Sequence, residues 1–276
     1  TYENNVIVDG GNPEAVEWYT GLAELWGVDG FKEDAMFAAN THHDDNWNKI
    51  YGNMVEQSDS LMIVRNGAYS LNGDILRIED HNYGLNNDGN MVFAPDRKPI
   101  NLLNFAASGA SNVYPDIIGG TGGKIGDEKF QMYTVRSAQL AALCPSISVG
   151  INVLNMDNDE REEAAFKAIN WHSTYVPYIY DAALKSYETG YPTSFTPLYI
   201  AYPDDENTYD MASFEKRQYE WLLGESILAT PLYGADFPTA DSRDVYLPEG
   251  EWMDYETGEI YEGPMTLKDY ELPIDK

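Results

Sequence analysis

The stretch GVDGFKEDAMF, residues 27–37, decides how the chain is read. Val28 and Phe31 suit a buried strand, while Asp29, Lys32, Glu33 and Asp34 crowd its far end with charge. A helix leads into it. Asn12 can cap, Pro13 fits the first helical position, and Glu14 favours the positive end of the helix dipole. Val16, Tyr19, Leu22 and Trp26 then recur at helical spacing until Gly27 stops the run. A helix delivered straight into a short apolar strand is the pattern of a parallel α/β unit, in which strand C-termini converge on a site. A strand that simply enters a solvated loop is the bland alternative.

The same alternation continues outward. A helix is expected over 43–58, a strand at LMIVRNG (61–67), a helix over 99–110, and a strand with a glycine loop at NVYPDIIGG (112–120). A helix near 128–143 leads to a strand at SISVGIN (146–152). Residues 160–190 form a further helix, capped by Gly190 and kinked or divided at Pro177. SFTPLYIAY (194–202) reads as extended. Residues 71–100 lack periodicity and read as one long loop, of a length that marks functional or disordered segments; Asp74 in LNGDIL reads as a hairpin-turn residue. Strands alternating with helices indicate a parallel sheet with covered faces. From about residue 225, hydrophobic and polar residues alternate, with turns expected at Pro248-Glu249-Gly250 and at Thr257-Gly258, the pattern of an antiparallel β module. The boundary is placed at 224, giving domains 1–224 and 225–276. Five strand–helix units are too few to close an eight-stranded barrel, and an open sheet explains that count directly.

Composition narrows the partners. A net charge of −29 over 276 residues excludes non-specific attraction to nucleic acid or anionic membrane. The 21 tyrosines and 6 tryptophans offer aromatic surface with polar edges, which suits carbohydrate as well as ordinary β structure. Cys144 is the only cysteine, so an intrachain disulfide and a thiolate metal site are both excluded, and its apolar setting LAALCP reads as core. No apolar run approaches a membrane-spanning length.

Charged groups at the expected strand ends are Asp34, Arg65 after LMIV, and Asp116 in YPDIIGG, with Asn87-Asp88 in the long loop. Two carboxylates and an arginine around one mouth suit glycoside hydrolysis; the alternative is that the acids cap loops and Arg65 neutralises them. GGTGGK (119–124) fails the P-loop spacing, since no Ser or Thr follows Lys124. His42-His43-Asp44-Asp45 reads as a helix start and His172 as a packed histidine.

In this order the segments resemble glycoside hydrolase family 31, the retaining α-glucosidase and α-xylosidase family. GNPEAVEWYTGLAELWGVDGFKED is similar to the family's N-P-x-A helix and G-V-D-x-F-[KW]-x-D strand, whose last aspartate is the nucleophile; that residue is Asp34. Lys32 matches the position held by Lys or Trp. VRNGAYS resembles the family's arginine-serine strand end, with Arg65 present and Asn66 in place of serine. Asp116 matches the aspartate of its D-I-G-G segment, with one isoleucine doubled, and YLPEGEW resembles the Y-L-P-x-G-x-W signature of the β module. The acid/base aspartate of the family maps to Asn87 without gaps, or to Asp88 if the register slips by one. Ile147 and Val149 stand where the family's R-x-H motif has its sugar-binding Arg and His.

The resemblance implies a (β/α)8 TIM barrel, of which this chain holds roughly the second half, followed by an antiparallel β-sandwich module. It implies catalysis by Asp34 with Asp88 or Asn87, substrate binding by Lys32, Arg65, Asp116 and Val149, and no cofactor. A structural calcium ion in the Asp-rich loops has no recognisable ligand spacing behind it. The partner implied is an oligosaccharide or glycoconjugate, and the apolar pair at 147 and 149 resembles the branch acting on α-N-acetylgalactosaminides. A transglycosylase and a non-catalytic carbohydrate-binding protein are the alternatives.

Overall fold

The computed structural model describes residues 11–32, 60–65, 73–78, 95–118, 126–150, 153 and 155–276. The chain divides into two compact units, Thr1–Ile78 and Glu79–Lys276.

In the first unit the expected helix forms as two segments, α1 (Pro13–Thr20) and α2 (Leu22–Trp26), which meet at Gly21. Asn12 accepts the Glu14 amide at 3.1 Å, and Gly27 closes α2 in the left-handed conformation at φ 64°. Strand β1 (Gly30–Lys32) follows and pairs in parallel with β2 (Leu61–Val64), aligning Gly30 with Leu61 and Lys32 with Ile63. The approach of these strands leaves no room for a side chain at residue 30. A Cβ there would lie 2.3 Å from the Leu61 carbonyl oxygen. A third strand, β3 (Ile75–Arg77), pairs in parallel with β2. Asp74 is therefore not a hairpin-turn residue, and the stretch read as one long loop contains a strand. Its carboxylate accepts the Met62 amide at 2.7 Å, fastening the start of β3 to β2 across the sheet.

The second unit begins with α3 (Arg97–Ala107) and β4 (Val113–Tyr114). Helix α4 (Glu128–Ala142) is capped by Asp127, which accepts the Phe130 amide at 3.1 Å. Ile118 pairs in parallel with Val149 in a single bridge, so over its described residues SISVGIN makes that one pairing and not the strand expected. Helix α5 (Asp159–Thr189) is one 31-residue helix, capped by Asn158 and ended by Gly190 at φ 73°. Pro177 does not divide it. Pro177 and Ser173 are both exposed, so water can satisfy the carbonyl that loses its partner. Helices α4 and α5 meet through alanines, Ala138 and Ala141 against Ala164 and Ala165, in a core with Ile118, Val135, Val153 and Met156. Cys144 is buried there as a core residue; its thiol donates to the Leu140 carbonyl, and burial raises its pKa.

After α5 the extended reading holds only for β5 (Thr196–Pro197), since Leu198–Ala201 turns into the short helix α6. Strands β6 (Trp221–Leu223) and β7 (Ile227–Ala229) form an antiparallel sheet with β5 in the order β5-β6-β7. Tyr178 of α5 donates to the Leu223 carbonyl and accepts the Ser226 amide at the β6–β7 turn. Strands β8 (Ser242–Met253) and β9 (Ile260–Glu271) make a long antiparallel hairpin. Its tip is closed where expected, by Asp254 accepting the Glu256 and Thr257 amides and by Gly258 at φ 73°. Pro248-Glu249-Gly250 is not a turn. It lies within β8 at a shift of register between Leu247 and Gly250, a β-bulge. The YLPEGEW sequence is explained there, because the Trp252 indole donates to the Pro248 carbonyl at 2.8 Å. Helix α4 holds the end of the chain to the same hairpin: the Arg136 guanidinium donates to the Leu272 carbonyl at 3.0 Å and Gln139 to that of Ile274 at 2.7 Å. Burial, with Arg243 nearby, brings the Arg136 pKa down to about 10.

Gly30→Ala is expected to push β1 off β2, at a cost on the order of 1–3 kcal/mol. Hydrogen exchange checks it: the Leu61 amide, now bonded to the Asp29 carbonyl at 3.0 Å, should lose its protection.

Candidate active site

Parallel pairing decides where the side chains named from sequence end up. In the first unit, Lys32 is the last residue of β1 and Arg65 follows β2 directly, so the two occupy the C-terminal ends of neighbouring parallel strands. Lys32 is exposed and Arg65 half-buried. In the second unit, Asp116 lies just past β4 and is 1% exposed. Two residues on, Ile118 makes its bridge to Val149, with the Ile118 amide donating to Ser148 and the Gly150 amide to Ile118. Asp116 thus lies two residues before a parallel bridge that includes Val149. Ser148 donates to the Tyr114 hydroxyl at 3.3 Å, tying this segment to β4. Val149 is 44% exposed, whereas Ile147 packs against the core around Ile118 and Val135. Asp34, Asn87 and Asp88 lie outside the described residues, as do GGTGGK, the 43–58 helix and His42-His43-Asp44-Asp45.

Three other titratable groups invite a catalytic reading on burial alone, and their bonding argues against it. Asp96 is 2% exposed. One oxygen accepts from Arg217 Nε at 2.8 Å and from the Tyr219 hydroxyl at 2.7 Å, and the other accepts the Ala235 amide at 3.1 Å. A carboxylate so enclosed, with three donors on it and almost no accessible surface, is closed to a ligand. Burial alone would lower the Arg217 pKa, but the hydrogen bond and charge of Asp96 outweigh it and raise it. Burial and then Asp96 push the Tyr219 phenol far up. Asp236 extends the cluster through two contacts with Arg243, at 2.9 and 3.2 Å. Burial works against its ionisation, yet Arg243 holds its pKa below the usual value.

Glu220 is 5% exposed; it accepts the Tyr246 amide at 3.0 Å, and its second oxygen has no partner. Burial pushes its pKa up to about 8 from an ordinary 4.5. Such a shift marks many catalytic acids, but this carboxyl is sealed between β6 and β8. His172 is buried with Nδ1 2.9 Å from the Ala142 carbonyl, and burial lowers its pKa. It is the packed histidine expected. Among the described residues, no group of three His, Cys, Asp or Glu side chains is placed to hold a metal ion.

Sequence reasoning passed over Asp96, Arg136, Arg217 and Arg243. Asp96 and Arg217 are 121 residues apart and Arg136 and Leu272 are 136, so no local pattern announces those bonds; Arg243 pairs with Asp236 only seven residues away, in a turn where no helix or strand period applies. Asp96 preceding a helix was the one available signal, and it reads as an ordinary cap.

Comparison with known proteins places these features. Residues 191–276 match the family model described as Glycosyl hydrolase family 31 C-terminal domain. The chain is 35% identical over 105 residues to Alpha-glucosidase 2 of Bacillus thermoamyloliquefaciens, covering 38% of this chain and 12% of that protein. It is 27% identical over 294 residues to the Myogenesis-regulating glycosidase of Mus musculus, covering 98% of this chain and 39% of that protein. The chain thus spans well under half the length of these relatives. Its fold is similar to that of the cycloalternan-forming enzyme from Listeria monocytogenes, solved in complex with a pentasaccharide substrate, at a TM-score of 0.74 and 19% identity over 99% of this chain and 27% of that one. Glycoside hydrolase family 31 is the family that these matches support for the chain.

Asp96→Ala leaves Arg217 and Tyr219 without their shared acceptor and is expected to cost about 3–5 kcal/mol in urea unfolding. Adding Arg217→Met should recover part of that loss. Glu220 carries a pH signature of its own. The unfolded chain releases its proton near pH 4.5 and the folded protein near 8, so between these values the folded state holds more protons and stability falls as pH rises. Glu220→Gln removes that penalty. Its stability should equal the wild type's below pH 4.5 and exceed it increasingly up to pH 8, by on the order of a few kcal/mol, as read from melting curves across the range.

Proposed function

We propose that this chain supplies part of the active site of a retaining α-glycoside hydrolase. Asp34 is the nucleophile, and Asp88, or an acid at position 87, is the proton donor and later the base. Arg65 keeps Asp34 ionised. Lys32, Asp116 and Val149 contact the sugar. The reaction proceeds by double displacement: Asp34 attacks the anomeric carbon while the acid protonates the leaving oxygen, and water then releases the covalent glycosyl-aspartate with the acid acting as base. Retention by this route requires carboxyls ~5–5.5 Å apart.

The observation that carries the reading is the parallel pairing of β1 with β2, which puts Lys32, two residues before Asp34 in sequence, and Arg65 at adjacent strand ends. In this reading the domains are a barrel portion over 1–224 and the start of a β-sandwich over 225–276. The relatives' names add support, since an alpha-glucosidase and a glycosidase are among them.

The finer substrate reading is an α-N-acetylgalactosaminide. Of the two apolar residues that replace the R-x-H pair, Val149 presents the more surface for an acetamido methyl to meet, since Ile147 packs in part against the core. Transfer to a second sugar instead of water is the alternative, favoured by the likeness to the cycloalternan-forming enzyme.

A panel of nitrophenyl α-glycosides (glucoside, galactoside, xyloside and N-acetylgalactosaminide) tests these assignments on the full-length protein. Asp34→Asn is expected to lower turnover by at least about 10³-fold while substrate still binds. Unchanged turnover in that variant, or an inverted product anomer by NMR, would overturn the mechanism. Preference for the glucoside over the N-acetylgalactosaminide would overturn the substrate reading alone.

A further inference from the structure

Outside the strand ends, the most organised unassigned feature is an aromatic cluster where α5 meets the tip of the β8–β9 hairpin. Trp171 and Tyr175 lie one helical turn apart on α5, with ring centroids 4.6 Å apart. Tyr255, from the hairpin tip, stands edge-on to both, at 6.3 and 6.1 Å. The two helix rings are part-buried and Tyr255 is 64% exposed.

The cluster is fixed from both sides. Lys167, one turn before Trp171, donates to Glu256 at 2.7 Å and to Asp275 at 3.2 Å, pinning the hairpin tip to the helix. Asp254 holds the tip itself through the Glu256 and Thr257 amides. The rings therefore stand in place before anything binds, which removes much of the ordering cost of recognition.

We infer that Trp171, Tyr175 and Tyr255 form a secondary binding site for a neutral oligosaccharide chain, apart from the residues assigned to catalysis. A pyranose presents apolar C–H faces that rest on aromatic rings and a rim of hydroxyls that exchange hydrogen bonds with side chains beside them. Glu256, Asp275 and Lys167 supply that rim. Charge selects against the other occupants. With a net charge of −29, the protein repels an anionic ligand, and the two rim carboxylates already share the Lys167 ammonium, which leaves little call for a cationic one. A site of this kind holds a polymeric substrate near an enzyme that trims its ends, so the inference rests on the glycosidase reading for its purpose but not for its test.

Affinity electrophoresis of the full-length Asp34→Asn variant through gels containing soluble dextran or glycogen makes the measurement without turnover. Retardation is expected, and adding Tyr255→Ala or Trp171→Ala should weaken the apparent affinity by roughly 2- to 10-fold per ring. Tyr255→Trp should retain it. Tyr255→Ala in the active protein should leave hydrolysis of a small nitrophenyl glycoside unchanged. No retardation of the parent, or retardation that both alanine variants leave intact, overturns the site. So does a loss in both alanine variants that Tyr255→Trp shares, because the cluster then serves only to fasten the hairpin. Ring-dependent binding in a protein that turns over no glycoside would sink the proposed function and leave this site standing.

Discussion

Asp96 is the charge around which the second unit is organised. Taking a carboxylate out of water costs several kcal/mol unless its lone pairs are matched, and here three donors from distant parts of the chain match them. Each donor is thereby located. Arg217 and Tyr219 enter β6 from a fixed point, and Ala235 begins the segment that leads to β8. Gly234 shows how tightly the carboxylate is enclosed, since a Cβ there would sit 2.7 Å from an Asp96 oxygen. Asp236 and Arg243 carry the same pattern of matched charges on to the base of the hairpin.

That arrangement separates support from chemistry. Two of the buried acids among the described residues, Asp96 and Glu220, are occupied with holding segments together, and the packed His172 behaves likewise. The side chains proposed to meet substrate lie beside parallel pairings instead: Lys32 ends β1 and Arg65 follows its partner β2, and Asp116 precedes the Ile118–Val149 bridge by two residues.

Much of this was legible in the chain. Cap residues fixed helix ends at Asn12 and Gly190, and the period-2 pattern with Thr257-Gly258 fixed the long hairpin. Readings that rested on one residue's habit fared worse. Pro177 was expected to kink or divide α5, which runs undivided, and Pro248-Glu249-Gly250 to form a turn. In each case the surroundings overrode the local preference, through an exposed helix face for the first and a bulge bonded to Trp252 for the second. Asp74 was misjudged because a parallel partner, unlike a hairpin, leaves no mark in the neighbouring sequence.

The sequence by itself determined what depends on neighbours along the chain: helix termini, strand alternation, the lone buried Cys144, and the order of motifs that points to glycoside hydrolase family 31. Tertiary structure alone decided what depends on residues far apart. It joined Asp96 to Arg217 across 121 positions and Arg136 to Leu272 across 136, aligned Lys32 with Ile63 just before Arg65, and packed Ile147 against the core while Val149 stayed exposed. The physical reason is the same in each case. A hydrogen bond to a buried charge is set by which groups share a volume, and sequence spacing does not encode that volume.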